Sequence, residues 1–138
     1  MIRDIVKDTA VLQQKSLPFV FEEDEFLIPD LLDTAKAHGE NCVGLAAIQI
    51  GIPKRVILVR FGKNFIPFIN PMIIHKSTKT YEADEGCLSL EGTRRVKRHK
   101  SVKVVWTEPS GKKRVQEFIG FPAQILQHEI DHCNGILI

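Results

Sequence analysis

An α+β fold, built mainly from short antiparallel strands packed around a C-terminal helix, with one further helix near the N-terminus, is what three features of the sequence predict. Between residues 55 and 118, short β-branched runs alternate with turn residues. Helical spacing of apolar residues is confined to about Asp24–His38 and to Pro122–Cys133. Two alternating segments, Ser101–Thr107 and Lys112–Phe118, flank Glu108-Pro109-Ser110-Gly111, whose Pro-Ser-Gly supplies the turn of an antiparallel hairpin.

Taken in order, residues 1–20 carry scattered apolar positions without a steady period, which suggests an extended arm lying on the core. In the first helix Phe26, Leu27, Leu31, Leu32 and Ala35 share a stripe, Pro29 falls late in the first turn and Gly39 ends it. Residues 42–53 are small and apolar apart from Gln49, and too rich in glycine for an ordinary helix or strand. Arg55–Arg60 reads as a strand, Phe65–Lys76 as strand broken by Pro67 and Pro71, and Thr78–Asp84 as another. Pro122 suits the first turn of the last helix, and Asn134-Gly135 suits its end.

With 138 residues, 43% hydrophobic and 26% charged, the chain can bury one sizeable core, so a single domain over residues 1–138 is expected. A net charge of +2 is too mild to argue for specific nucleic-acid binding or a membrane surface. No apolar run reaches the length of a membrane span, and Met1-Ile2-Arg3-Asp4 lacks a signal peptide's apolar core; the expected location is the cytoplasm. Three cysteines without a C-x-x-C pair do not predict a disulfide framework there. The basic run Arg94–Lys100 reads as a solvated strand edge.

The chemistry concentrates near the end, in Gln127-His128-Glu129-Ile130-Asp131-His132. On a helix, His128 and His132 lie one turn apart on one face, close enough for both imidazoles to hold one metal ion. Glu129 then stands beside the metal without ligating it, placed to take a proton from a water and return it to a leaving group. A third ligand has to come from upstream, where Cys42, Cys87, His38, His75, His99 and several carboxylates are available. Cys87 is the best of these. It sits in Glu85-Gly86-Cys87-Leu88-Ser89, where a thiolate suits a borderline divalent ion and the glycine lets backbone turn tightly against it.

Glu85-Gly86-Cys87-Leu88-Ser89, Gln127-His128-Glu129-Ile130-Asp131-His132 and Gly44-Leu45-Ala46-Ala47-Ile48-Gln49, taken together, resemble the three signature motifs of the peptide deformylase family, and the likeness covers nearly the whole chain. The resemblance implies a metallohydrolase that removes the formyl group from formylmethionine at the N-termini of nascent polypeptides. It implies one divalent ion, Fe²⁺, with Zn²⁺, Ni²⁺ or Co²⁺ as substitutes, held by Cys87, His128 and His132. Glu129 would be the general base, and the side-chain amide of Gln49 with the backbone N–H of Leu88 would receive the oxyanion. The peptide would run extended along Val43 and Gly44, bordered by Glu85 and Gly86, with Phe121 and Ile125 lining an apolar pocket for methionine. Glu85 and Asp131 would orient ligands and loops, partnered by Arg98 or Arg94.

The chain departs from the family pattern in places. Cys42 stands where the family keeps glycine, so strain is expected if that position needs φ > 0, and a narrowed pocket if it lies close to substrate. Gln124 brings an amide to a pocket position that is commonly apolar, so methionine preference is expected to weaken or change. The sequence stops at Ile138, whereas well-known bacterial members continue into a helix that touches the ribosome; the ribosome stays open as a partner, but docking by that route is in doubt. The alternatives are a deformylase-like paralogue with altered substrate or reduced activity, and a non-catalytic metal-containing module that binds peptides. In the latter, Cys42 or His38 would complete a closed four-ligand shell.

Overall fold

β2 (Val56–Phe61) organises the molecule, because it is covered on both faces. Ile57 and Val59 point to one side and Val56 and Leu58 to the other, and all four are fully buried. Four consecutive apolar residues are what such a sandwiched location requires. β2 pairs antiparallel with β1 (Gly44–Ala46) and with β3 (Asn64–Lys76). β6 (Ser101–Thr107) and β7 (Lys113–Ile119) complete a five-stranded sheet in the order β1-β2-β3-β6-β7. β4 (Thr80–Glu85) and β5 (Arg94–His99) form a separate antiparallel pair.

Four helices complete this computed structural model, which spans Met1–Ile138: α1 (Thr9–Leu12), α2 (Phe21–Asp24), α3 (Leu27–Ala37) and α4 (Gly120–Cys133). α3 lays Leu27, Leu31 and Ala35 against Leu45, Val56, Leu58 and Ile69. α4 lays Ala123, Ile125, Leu126, Ile130 and Cys133 on the opposite face, over Ile57, Val59, Phe68, Val102, Val104, Trp106 and Phe118. Each large apolar side chain buried there contributes about 1.5–3 kcal/mol. Phe68 is the hub of that side, with ring centroids 4.6 Å from Trp106 and 5.9 Å from Phe118. No helix is long and apolar enough to cross a membrane.

The hairpin of β6 and β7 and the antiparallel α+β arrangement agree with expectation. Elsewhere the structure corrects the boundaries. The N-terminal arm includes the turn α1 and a parallel bridge from Leu17 to Lys54, and α3 begins at Leu27 behind the separate short α2. Residues 44–50, read as too rich in glycine for regular structure, form β1 and a 3₁₀ turn over Ala47–Ile50. Neither proline interrupts β3. Pro67 lies before the pairing with β6 begins at Ile69, so that side is an open edge where a missing N–H leaves no gap in a ladder. Pro71 follows Asn70, whose φ of 49° marks a bulge between Ile69 and Met72. Asparagine tolerates that conformation, and its side chain bonds both backbone groups of Phe19, docking the N-terminal arm.

The basic run also differs from expectation. Strand alternation turns Arg95 outward to Glu82 and Asp84 but turns Arg98 inward, where it is buried.

Candidate active site

α4 carries both histidines on the face turned toward the loop after β4, and nearly every residue from Ala123 to Cys133 is buried. Two polar clamps fix the helix there. Gln127 accepts from the His99 N–H at 2.8 Å and donates to the His99 carbonyl at 2.9 Å, binding the end of β5 to the helix. Asp131 accepts from Arg98 at 2.6 Å. The expected link between Asp131, Glu85 and an arginine is present, and the arginine is Arg98; Arg94 instead donates to the Glu91 carbonyl.

One helical turn brings His128 Nε2 and His132 Nε2 to 3.2 Å. Cys87, from the loop after β4, joins them, and the three ligand atoms lie within 4.8 Å of one another. His38, His75, His99 and Cys42 do not belong to this group. The Cys42 thiol donates to the Gly44 carbonyl at 3.3 Å, and burial pushes it up to about 12. Its φ is −111°, so the side chain imposes no strain on the backbone.

The donor set fits a divalent cation. Glu85 Oε1 lies 2.8 Å from His128 Nδ1 and orients the ring so that Nε2 faces His132. Burial opposes the charge of His128, but the bonds with Cys87 and Glu85 raise its pKa to about 10, so a bound cation would take the place of the Nε2 proton. Burial alone would raise the Cys87 thiol, but the hydrogen bond with His128 and the N–H groups of Ser89 and Leu90 hold it below the ordinary thiol value. Burial and the neighbouring His128 keep His132 well below the ordinary imidazole range. A sulfur of lowered pKa beside two imidazole rings is a soft donor set of the kind that divalent transition metals occupy.

Glu85 itself is held from three sides. Arg98 donates to both its oxygens, at 2.6 and 2.9 Å, and Gln124 Nε2 donates to Oε2 at 2.9 Å. Burial opposes its charge, yet the His128, Arg98 and Gln124 donors hold its pKa down at about 2. Glu85 borders the cavity, and both its oxygens are already engaged by protein.

Glu129 is the reverse case. It is buried, its Oε1 has no partner, and burial raises its pKa to about 7. A carboxylate of that kind can hold a proton and release it near neutral pH.

These groups open on a cavity of about 200 Å³ that also takes in Val43, Gly44, Gln49, Gly86, Leu88, Phe121 and Ile125. The catalytic, substrate-binding and metal-ligating residues expected from the sequence therefore meet in one place, all lining this cavity except His132, which is 1% exposed and joins them through Cys87 and His128. Gln49 is oriented by the Ala46 N–H, which donates to Oε1 at 3.0 Å, so that Nε2 is the end left to donate, one proton going to Ser89 at 3.2 Å. β1 is an edge strand of the sheet, and its start lies on the cavity. Sequence reasoning missed Gln127 and Tyr81, whose hydroxyl donates to Gln124 at 3.1 Å. A polar residue on the buried stripe of α4 was the available signal for the first; nothing in the sequence marked the second.

A model of the polypeptide deformylase family matches residues 2–138. The peptide deformylase of Clostridium beijerinckii is 46% identical over 138 residues, covering the whole of both chains. That of Desulfitobacterium hafniense is 41% identical over 94% of this chain and 86% of its own. Among solved structures, a Met-Ala-Ser-bound class I type b peptide deformylase from Acinetobacter baumannii superposes with a TM-score of 0.89 at 32% identity, covering 99% of this chain and 96% of that one. The peptide deformylase of Thermotoga maritima gives 0.89 at 34% identity, over 99% and 94%. The chain belongs to the polypeptide deformylase family and is an enzyme that removes N-formyl groups.

Proposed function

We propose that Cys87, His128 and His132 hold one divalent ion, Fe²⁺ by preference with Zn²⁺, Ni²⁺ or Co²⁺ able to replace it, and that the substrate is the formylmethionyl N-terminus of a newly made polypeptide in the cytoplasm. The observation that carries this reading is the convergence of three ligand atoms within 4.8 Å, beside a buried Glu129 and at the wall of a cavity. The ion, when bound, supplies a Lewis acid that makes water nucleophilic near neutrality.

Glu129 takes the proton of the attacking water and delivers it to the leaving amine, a role its pKa of about 7 suits. Gln49 Nε2 and the Leu88 N–H receive the negative charge that develops on the formyl oxygen. The peptide backbone pairs with Val43 and Gly44 at the free edge of β1, which reads main chain and not sequence. Gly86 gives the chain room to pass, Phe121 and Ile125 line the methionine pocket, and Glu85 holds His128 from behind while closing that side of the cavity.

Formate release from formyl-Met-Ala-Ser under oxygen-free conditions tests the reading. Glu129→Ala is expected to lower turnover by roughly 10²–10⁴-fold while the protein still binds one ion per chain. Absence of turnover in the fully Fe²⁺-loaded wild type, or full turnover in the alanine variant, would overturn it.

A further inference from the structure

We propose that Tyr81 is a positioning residue that sharpens the choice of substrate side chain, acting through Gln124 from outside the cavity. This rests on the reading of the cavity wall beside His128 as the side-chain pocket. Gln124 is half-buried and belongs to two concavities at once: the active-site cavity, and a shallow groove on the outer surface formed with Tyr81, Lys100, Gly120 and Phe121. It is therefore part of the partition between them.

Both ends of its amide are fastened by β4. Tyr81 donates to Oε1 at 3.1 Å, and Nε2 donates to Glu85 Oε2 at 2.9 Å. Tyr81 and Glu85 are four residues apart on one strand and so lie on the same face, with the small Ala83 between them. Glu85 cannot yield, because Arg98 and His128 hold it in turn. The amide is thus locked in one orientation, with its strongest valences spent on protein.

The chemical consequence concerns discrimination. A free glutamine in a pocket wall would swing its carbonyl or N–H group toward a polar substrate side chain and would leave an unpaired amide against an apolar one. Clamped, it offers mainly its stem and the flat of the amide, and the pocket keeps an apolar character despite a polar residue in its lining. The hydroxyl of Tyr81 supports methionine selectivity without touching the substrate. The weakening of methionine preference expected from Gln124 is thereby countered.

The test compares kcat/KM for formyl-Met-Ala-Ser and formyl-Gln-Ala-Ser, whose first side chains are close in length and differ in polarity. Tyr81→Phe is expected to lower the Met-to-Gln ratio about tenfold, the scale on which single pocket contacts discriminate. Gln124→Leu is expected to keep the ratio at or above that of the wild type. In the Gln124→Leu background, Tyr81→Phe should then change it less than twofold, since the effect requires the amide. Calorimetric affinities for the free peptides Met-Ala-Ser and Gln-Ala-Ser should shift in the same direction as the kinetic ratio. A ratio within twofold of wild type in Tyr81→Phe, or an equal shift with leucine at position 124, would overturn the proposal. A wild type inactive on formyl-Met-Ala-Ser would instead remove the underlying reading of the site, and this inference with it.

Discussion

Gly44 lies directly against Glu129: a Cβ built on Gly44 would stand 2.6 Å from Glu129 Oε2 and 2.8 Å from Ile125 Cγ2. Strand β1 and Glu129 share one steric boundary, with no room for a methyl group between them. Gly44→Ala is expected to push Glu129 out of place and lower kcat/KM roughly 10²-fold, the cost of a misplacement of about 1 Å. Steady-state assay checks this, with circular dichroism to confirm the fold. Cys42→Ala, two residues earlier, should retain activity, because Cys42 has extended backbone and its thiol bonds only the Gly44 carbonyl.

Arg98 neutralises two carboxylates in a buried setting, and only it stands between Glu85 and Asp131. Arg98→Leu leaves both acids without their cation and is expected to cost about 3–5 kcal/mol of stability at neutral pH. Urea denaturation measures it. Asp131→Asn, which keeps an oxygen for Arg98 and removes a less buried charge, should cost less than half as much.

The N-terminal arm supplies a pH-dependent contribution. Asp30 bonds the Met1 ammonium at 2.9 Å and Arg3 at 2.7 and 2.9 Å. Those bonds, the ammonium's first and then that of Arg3, hold its carboxyl below the ordinary value of 3.8. A depressed pKa adds stability that is fully present above the unfolded value and is lost as pH falls below it. Wild type is therefore expected to exceed Asp30→Asn in melting temperature at pH 7, with the gap closing below about pH 4. Thermal melts across that range check it.

Thiolate ligation of Fe²⁺ invites oxidation of both metal and sulfur. The Fe²⁺-loaded enzyme is expected to lose activity in air faster than the Ni²⁺- or Co²⁺-loaded enzyme. Half-lives for the three loaded forms, measured side by side, decide this; equal half-lives would contradict it.

How much was legible in the sequence depended on how local each constraint is. His128 and His132 could be placed because helical periodicity alone sets their spacing, and they lie 3.2 Å apart at Nε2. Cys87 could be matched to them by chemistry, though its distance from them is fixed by the pairing of β4 with β5 and by the bonds that fasten α4 to both strands. Long-range packing erased other signals. Glycine content hid β1, because close approach to Glu129 excludes a side chain at Gly44 from a strand that is otherwise ordinary. Charge hid Arg98, since the five basic residues around it in the run Arg94–Lys100 suggest solvent while a period of two turns every second position inward. Pro71 looked like a break, and Asn70 absorbed it with a single left-handed residue.

β1 is three residues long, and only its first residue, Gly44, reaches the cavity. Unsatisfied strand edges ordinarily template the addition of further chains, and nature commonly blunts them by keeping them short. Here brevity serves two ends. Under the proposed function the opening is long enough to hold one chain end by its main chain, whatever residues follow, and too short to let neighbouring molecules stack into a growing ribbon. Generosity toward substrates is thereby separated from the hazard of self-association.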